Sequence, residues 1–275
     1  MSDVHTARIG PYRLVRRLAA GSMGVVYLGE DADGRRVALK VVRPDLAGEA
    51  EFRIRFRQEV HAALSVSGAH TAAVVGVDLG AAEPWLAVEY LDGPTLAERV
   101  ALGGPLPATR VRRLLGQLAA ALAAIHRAGI VHRDVKPGNV ILAPGGPRVI
   151  DFGVARIPAG SDLTDDHQLL GSPGYLAPEY LRGVPAHPPG DLFALGATLL
   201  FAATGRPPFG AGPPEAVLDR AAAGEPDTDG VPPALAAVLR ALLDPDPAAR
   251  PAAESLVPPP RAGTGRHRAR VRRTG

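Results

Sequence analysis

The spacing of apolar residues changes once along this chain, and that change constrains the fold more than any other feature. Up to about residue 90 the apolar residues come in short runs. Residues 12–18, 24–29 and 36–42 are rich in Val, Leu and Tyr, and are separated by Ala-Ala-Gly-Ser-Met-Gly and by Asp-Ala-Asp-Gly, a hairpin turn signal. Residues 49–64 interrupt them with Phe52, Phe56, Val60 and Ala63 at helical spacing, and 73–78 and 85–91 supply two further strands. Beyond Gly93 the helical period takes over. Residues 110–128 place Leu114, Leu118, Ala121, Leu122 and Ile125 on one face, after Pro107 and before an Ala128-Gly129 stop. Residues 130–153 read as loop and short strand, 161–174 as a polar segment, and 191–204, 214–223 and 233–243 as three more helices. The expected class is α+β: a small antiparallel-sheet lobe with one long helix over about 9–90, and a larger, mainly helical lobe over about 94–257. Residues 90–94 join them, and no internal repeat is visible.

The 275 residues are enough for one large domain or two small ones, and 46% hydrophobic with 21% charged is a globular composition. With no cysteine, disulfide frameworks, thiolate metal sites and cysteine nucleophiles are excluded together. The net charge of +3 belongs to the end of the chain. Residues 261–275 hold six arginines and no acid, so the rest is mildly acidic and gives no reason to expect nucleic acid as a specific partner. Residues 258–275 read as a Pro/Arg-rich, solvated tail, with weak contact to an anionic surface as the alternative. The start of the chain lacks a signal-peptide pattern, and the longest apolar run, 192–203, contains Gly196 and is too short for a bilayer. The expected location is the cytoplasm.

Of 31 basic residues 29 are arginine; only Lys40 and Lys136 are lysine, and Asn139 is the one asparagine. A compact ammonium fits a phosphate slot that a guanidinium fork does not, so positions that keep lysine in an arginine-rich chain are candidates for chemistry. Lys40 ends the strand-like Val37-Ala38-Leu39-Lys40. Lys136 and Asn139 lie two and five residues after Asp134 in His132-Arg133-Asp134-Val135-Lys136-Pro137-Gly138-Asn139. A short loop with this spacing can aim a carboxylate, an ammonium and an amide oxygen into one pocket. Ala19-Ala20-Gly21-Ser22-Met23-Gly24 lies between the first two strands. Its small residues allow backbone N–H groups to approach a phosphate, although many such hairpins are only turns. Asp151, in Asp151-Phe152-Gly153, follows an apolar strand and is a hard oxygen donor suited to Mg²⁺.

These pieces, followed by Ala177-Pro178-Glu179, occur in the order of the protein-kinase signatures. Over residues 9–256 the chain resembles the eukaryotic-like (Hanks-type) serine/threonine protein kinases of bacteria. The resemblance implies the bilobal protein-kinase fold and transfer of the ATP γ-phosphate to Ser/Thr hydroxyls of proteins, this chain included. It implies Asp134 as catalytic base, Lys136 at the γ-phosphate, and Asn139 and Asp151 as ligands of Mg²⁺, with Mn²⁺ as a substitute. Lys40 would grip the α- and β-phosphates. Its partner would be Glu59, which shares the inward helix face with Phe56, Val60 and Ala63, with Glu51 as the alternative. Ala19, Ala20, Gly21, Ser22, Met23 and Gly24 would cover the phosphates, and Leu18 would also contact the nucleotide. The adenine would lie between Val26 and Ala38 above and Ile141 below. Glu89 and Leu91 would offer hinge hydrogen bonds, and Val88 would be a small gatekeeper.

The resemblance also places Ser172 in the segment that receives a peptide, pairs Glu179 with buried Arg250, and makes Asp191 a brace for the catalytic loop, with a helix N-cap as its plainer role. Arg133 would clamp a phosphate on Thr164, Ser161 or Ser172, near Asp162, Asp165 and Asp166. A homodimer through the small lobe follows by analogy alone, as does the expectation of a soluble form without a span. One departure stands out: Ala19 replaces the first glycine of the phosphate loop. Two competing functions are a pseudokinase scaffold that binds nucleotide without transfer, supported by Ala19, and a small-molecule kinase of related fold. The segment through Glu179 with its Arg250 partner speaks against the second.

Overall fold

The computed structural model describes residues 7–21, 24–66, 70–152 and 173–259. Alternation builds the first lobe. Strands β1 (Arg8–Ile9), β2 (Tyr12–Ala20), β3 (Gly24–Glu30), β4 (Arg36–Val42), β5 (Val74–Asp78) and β6 (Trp85–Glu89) form one antiparallel sheet in the order β1-β2-β3-β4-β6-β5. One face buries Tyr12, Leu14, Val37, Leu39, Val41, Trp85 and Ala87, with Tyr12 and Trp85 edge to face at 5.6 Å. The other face is covered near its end by the long helix. Between β4 and β5 lie a single turn, α1 (Pro44–Ala47), opened by its proline, and α2 (Ala50–Ser65). Helix α2 packs Phe52, Phe56 and Val60 against Val42 and Leu86. Because β4 alternates, Lys40 points to the α2 side, opposite Val26 on β3 and Leu86 on β6.

The second lobe is built around two long helices, α4 (Ala108–Arg127) and α6 (Pro188–Thr204). Helix α4 buries the face expected from its spacing, including Leu114, Leu118, Ala121, Leu122 and Ile125. Helix α6 is apolar all round and buried all round, with Leu192, Phe193, Leu195, Leu199 and Leu200 at most 2% exposed. Full burial of each such side chain is worth roughly 1.5–3 kcal/mol. Gly196 is required there, since a Cβ would lie 2.8 Å from Leu242 Cβ of α8 (Pro233–Leu242). The remaining elements are α3 (Leu96–Gly103), the hairpin β7 (Val140–Ala143) and β8 (Gly146–Val149), α5 (Pro178–Leu181) and α7 (Pro214–Ala223). Pro258 seats on Gly116 of α4, where a Cβ would come within 2.7 Å of its Cδ.

Helix α6 starts at Pro188, three residues ahead of the expected 191, because Pro188 and Pro189 suit a first helical turn whose N–H groups have no partner. Helix α3, which the spacing did not indicate, is set by a complete capping box. Glu98 N donates to Thr95 Oγ1 at 3.1 Å, and Thr95 N donates to Glu98 Oε2 at 2.8 Å. No helix among the described residues is long and apolar enough to cross a membrane.

Candidate active site

The two lobes enclose a cleft of about 520 Å³. Its roof is the sheet, where Leu18, Ala19, Val26, Ala38 and Lys40 line it. Its back wall includes Glu59 and Val88, its hinge Glu89 and Leu91, and its floor Asn139, Ile141 and Asp151. All of these were expected from the sequence. Thr95 and Glu98 from the start of α3, Arg16 from β2 and Phe152 also line it, and were not. Ala20, Gly21 and Gly24 form the outer part of the β2–β3 hairpin and do not line this cleft, nor do Asp134 and Lys136. Ser22 and Met23 lie outside the described residues. Gly24 has a structural reason to be glycine: a Cβ would lie 2.2 Å from the Val41 carbonyl oxygen, in the paired strand.

Lys40 Nζ forms an ion pair with Glu59 Oε1. Glu59 is buried at the inward face of α2, whereas exposed Glu51 pairs with Arg55 one turn along the same helix. This decides between the two partners considered for Lys40. At the hinge, Glu89 N donates to Ala73 O at 2.8 Å, so only the carbonyl of Glu89 remains to serve the cleft. Val88 faces Ala38 across the ladder.

The loop after α4 is held from several directions. Asn139 Nδ2 donates to Asp134 O at 2.9 Å and to Asp134 Oδ2 at 2.7 Å, and Lys136 Nζ lies 3.0 Å from the same Oδ2. Beneath, buried Asp191 accepts from His132 N and Arg133 N, both at 2.8 Å. The N-cap of α6 is His187, so Asp191 in the first turn is a loop brace and not the cap. His126, near the end of α4, completes the set with Nε2 2.8 Å from Asp191 Oδ2. Spacing does not single out His126, because it follows the last apolar position of its helix like any polar end residue. Arg133 and Asp151 adopt φ of 68° and 57°, the left-handed region that disfavours non-glycine residues by about 1–3 kcal/mol. The Arg133 backbone is fixed there by its bond to Asp191.

His132 is fully buried against Phe152, with ring centroids 4.9 Å apart. Burial pushes its imidazole pKa down, against the opposing pull of Asp191, Asp134 and Asp151. Below the cleft, Arg250 and Glu179 form two parallel hydrogen bonds of 2.7 and 2.8 Å, both residues buried. Arg250 also donates to Asp244 O and Pro189 O, and its guanidinium lies 5.0 Å above the Phe193 ring. Thr164, Ser161, Ser172 and the neighbouring aspartates lie outside the described residues, as does the arginine tail beyond residue 259.

The protein-kinase domain model matches residues 12–260. The serine/threonine-protein kinase AfsK of Streptomyces griseus is 48% identical over 249 residues, covering 90% of this chain and 31% of that protein. The probable serine/threonine-protein kinase PkwA of Thermomonospora curvata is 44% identical over 250 residues, covering 91% and 34%. This chain therefore spans about a third of the length of these curated relatives. The crystal structure of the Mycobacterium tuberculosis PknI kinase domain superposes with a TM-score of 0.69 at 28% identity, covering 93% of this chain and 98% of that one. The fold, the cleft and these likenesses agree: the chain belongs to the protein kinase family, among the bacterial serine/threonine-protein kinases.

Proposed function

We propose that this chain transfers the γ-phosphate of ATP to serine or threonine hydroxyls of protein substrates, and to its own. The observation that carries the reading is the convergence on one cleft of Lys40 with its Glu59 partner, Asn139 and Asp151. Phosphoryl transfer needs positioning and charge neutralisation more than a covalent nucleophile, and this inventory supplies both. Lys40, oriented by Glu59, binds the α- and β-phosphates. Leu18, Val26 and Ala38 above and Ile141 below clamp the adenine, with the Glu89 carbonyl and the Leu91 backbone at its edge. Asp134 orients the acceptor hydroxyl and takes its proton, and Lys136 offsets charge on the transferred group.

Family membership implies a divalent metal, and we assign it as Mg²⁺, with Mn²⁺ able to substitute. The donors fit. The Asn139 amide nitrogen is committed to Asp134, which leaves its carbonyl oxygen as a ligand, and Asp151 presents a carboxylate to the same cleft. Two oxygen ligands supplemented by phosphate oxygens and water suit Mg²⁺, which rarely takes an all-protein cage. Bound there, the ion supplies charge neutralisation to the phosphates. Among the described residues no group of three His, Asp or Glu side chains forms a separate metal site.

Incubation with labelled ATP and Mg²⁺ tests the reading. Wild-type protein should label itself and a Ser/Thr peptide, and Asp134→Asn should lower both by about 10²–10⁴-fold. No label in wild type, with tight nucleotide binding retained, would favour a scaffold.

A further inference from the structure

On the side of the large lobe away from the nucleotide cleft lies a second concavity, of about 670 Å³, between the start of α4 and the β7–β8 turn. Strand β7 separates the two cavities: Ile141 lines the cleft, and the next residue, Leu142, lines the groove. The floor is apolar, with Leu106 and Leu114 buried beneath it and Leu142 half-buried at its surface. The rim on α4 carries Arg110, Arg113 and Gln117, spaced i, i+3 and i+7 and so in one stripe. Both arginines are exposed, and among the described residues neither forms an ion pair. No carboxylate lines the groove. The positive sign is reinforced by the start of α4, whose N-cap, Pro107, makes no side-chain hydrogen bond to the first turn.

We propose that this groove docks an extended acidic-apolar segment of a protein substrate and so raises the local concentration of its phosphorylated residue at the cleft. The geometry selects that chemistry. Arg110 and Arg113 stand about 5–6 Å apart on the helix, close to the roughly 6.6 Å between alternate residues of an extended peptide. Carboxylates at alternate positions therefore meet both guanidiniums, and the intervening leucine-sized side chains turn to the apolar floor. The chain's own basic end, 261–275, has the wrong sign to occupy the site. A nucleic acid has no apolar side chain to set against half-buried Leu142, and the chain up to residue 260 is mildly acidic.

The test uses fluorescein-labelled acceptor peptides that share one serine-containing segment and one Gly/Ser linker. They end in Glu-Leu-Glu-Leu, in Lys-Leu-Lys-Leu, or at the linker. The acidic peptide should have a KM about three- to tenfold below the other two, with kcat unchanged, as two partly screened ion pairs allow. Its anisotropy should report binding whether or not phosphate is transferred. Arg110→Glu/Arg113→Glu should erase that advantage while phosphorylating the linker-only peptide at the wild-type rate. Arg110→Gln/Arg113→Gln reads the same effect if the charge reversal perturbs folding. Equal KM values for the acidic and basic peptides overturn the proposal, and so does an advantage that survives both variants. Displacement of the acidic peptide by a single-stranded oligonucleotide of equal charge, at equal or lower concentration, also overturns it. A linker-only peptide that is never phosphorylated would instead count against the phosphotransfer reading, while the anisotropy would still report on the groove. The proposal rests on that reading only for its kinetic arm.

Discussion

Two ion pairs in this molecule are built from similar charges and differ in nearly everything else. Glu179 and Arg250 meet through a planar fork, with side chains 2% and 0% exposed, and Arg250 is further tied to the Asp244 and Pro189 carbonyls and to the Phe193 ring. Lys40 and Glu59 meet through one flexible ammonium, and the lysine side chain is 20% exposed at the edge of an open cleft. The first pair links α5 to the loop after α8, and the one other basic side chain beside Glu179 among the described residues is His187, whose Nε2 lies 3.6 Å from Glu179 Oε1. In the second the Glu59 side chain is also buried, at 4% exposed, but Lys40 stands at the cleft and has donors enough to share between Glu59 and a phosphate oxygen. A buried bidentate pair is a fixture, and a cleft-edge monodentate pair is a tool. Arginine serves the one and lysine the other because a fork fixes geometry and a point charge can be shared.

The largest effect should come from breaking the fixture. Arg250→Met leaves the buried Glu179 carboxylate with only His187, 3.6 Å away, near it, and should cost about 3–5 kcal/mol of unfolding free energy in urea titration. A cost below about 1 kcal/mol would put the two pairs in one class. Lys40→Met should do the opposite: lower kcat by about 10²–10³-fold while costing only about 1–2 kcal/mol of stability, because Glu59, though buried, lines the cleft and water can enter where the ammonium was. Lys40→Arg sharpens the contrast, since it keeps the charge and is expected to recover stability without recovering the rate.

Both pairs were legible in the sequence, for different reasons. Glu59 shares a helix face with buried Phe56 and Val60, so helical spacing favoured it over Glu51, and the ion pair with Lys40 decides for it. Glu179 and Arg250 are 71 residues apart, and only the family resemblance joined them. Lys40, Lys136 and Asn139 stood out through rarity, and the fold brings the last two onto Asp134. What escaped was set by tertiary contact or by a short local signal. His126 looks like a polar helix end until α6 brings Asp191 to it. Pro258 looks like the start of a tail until it is seen against Gly116. Helix α3 was missed although Thr95 and Glu98 spell its capping box, because its eight residues bury only Leu96 and Val100 and the apolar period is too brief to register.

A third buried ionisable group extends the comparison to burial without a charged partner of its own. His132 is fully buried in the catalytic loop, and burial depresses its pKa in the folded chain. The unfolded chain then takes up a proton near pH 6.5 that the folded chain refuses, so stability should fall as pH drops below about 6.5, by up to about 1.4 kcal/mol per pH unit. Denaturant titrations between pH 7 and pH 5 should show this slope, and His132→Gln should flatten it. A slope that persists in the variant would assign the acid sensitivity to the carboxylates and not to this imidazole.

The smallest effect is expected at the one departure from the phosphate-loop pattern. Among the described non-glycine residues only Arg133 and Asp151 have positive φ, so the backbone at Ala19 is one that any L-residue adopts, and its ladder pairing with Val26 is intact. Ala19 is exposed at the cleft wall, where a methyl group meets solvent and not a packed neighbour. Gly24 is the opposite case in the same hairpin, with no room for a Cβ against Val41. Ala19→Gly should therefore change the KM for ATP by less than about threefold, with a stability loss of roughly 0.5–1 kcal/mol from added chain entropy. A tenfold gain in ATP affinity in that variant would show that the methyl group hinders the nucleotide. It would then be the loop above Lys40, more than the Lys40–Glu59 pair, that limits what the cleft can hold.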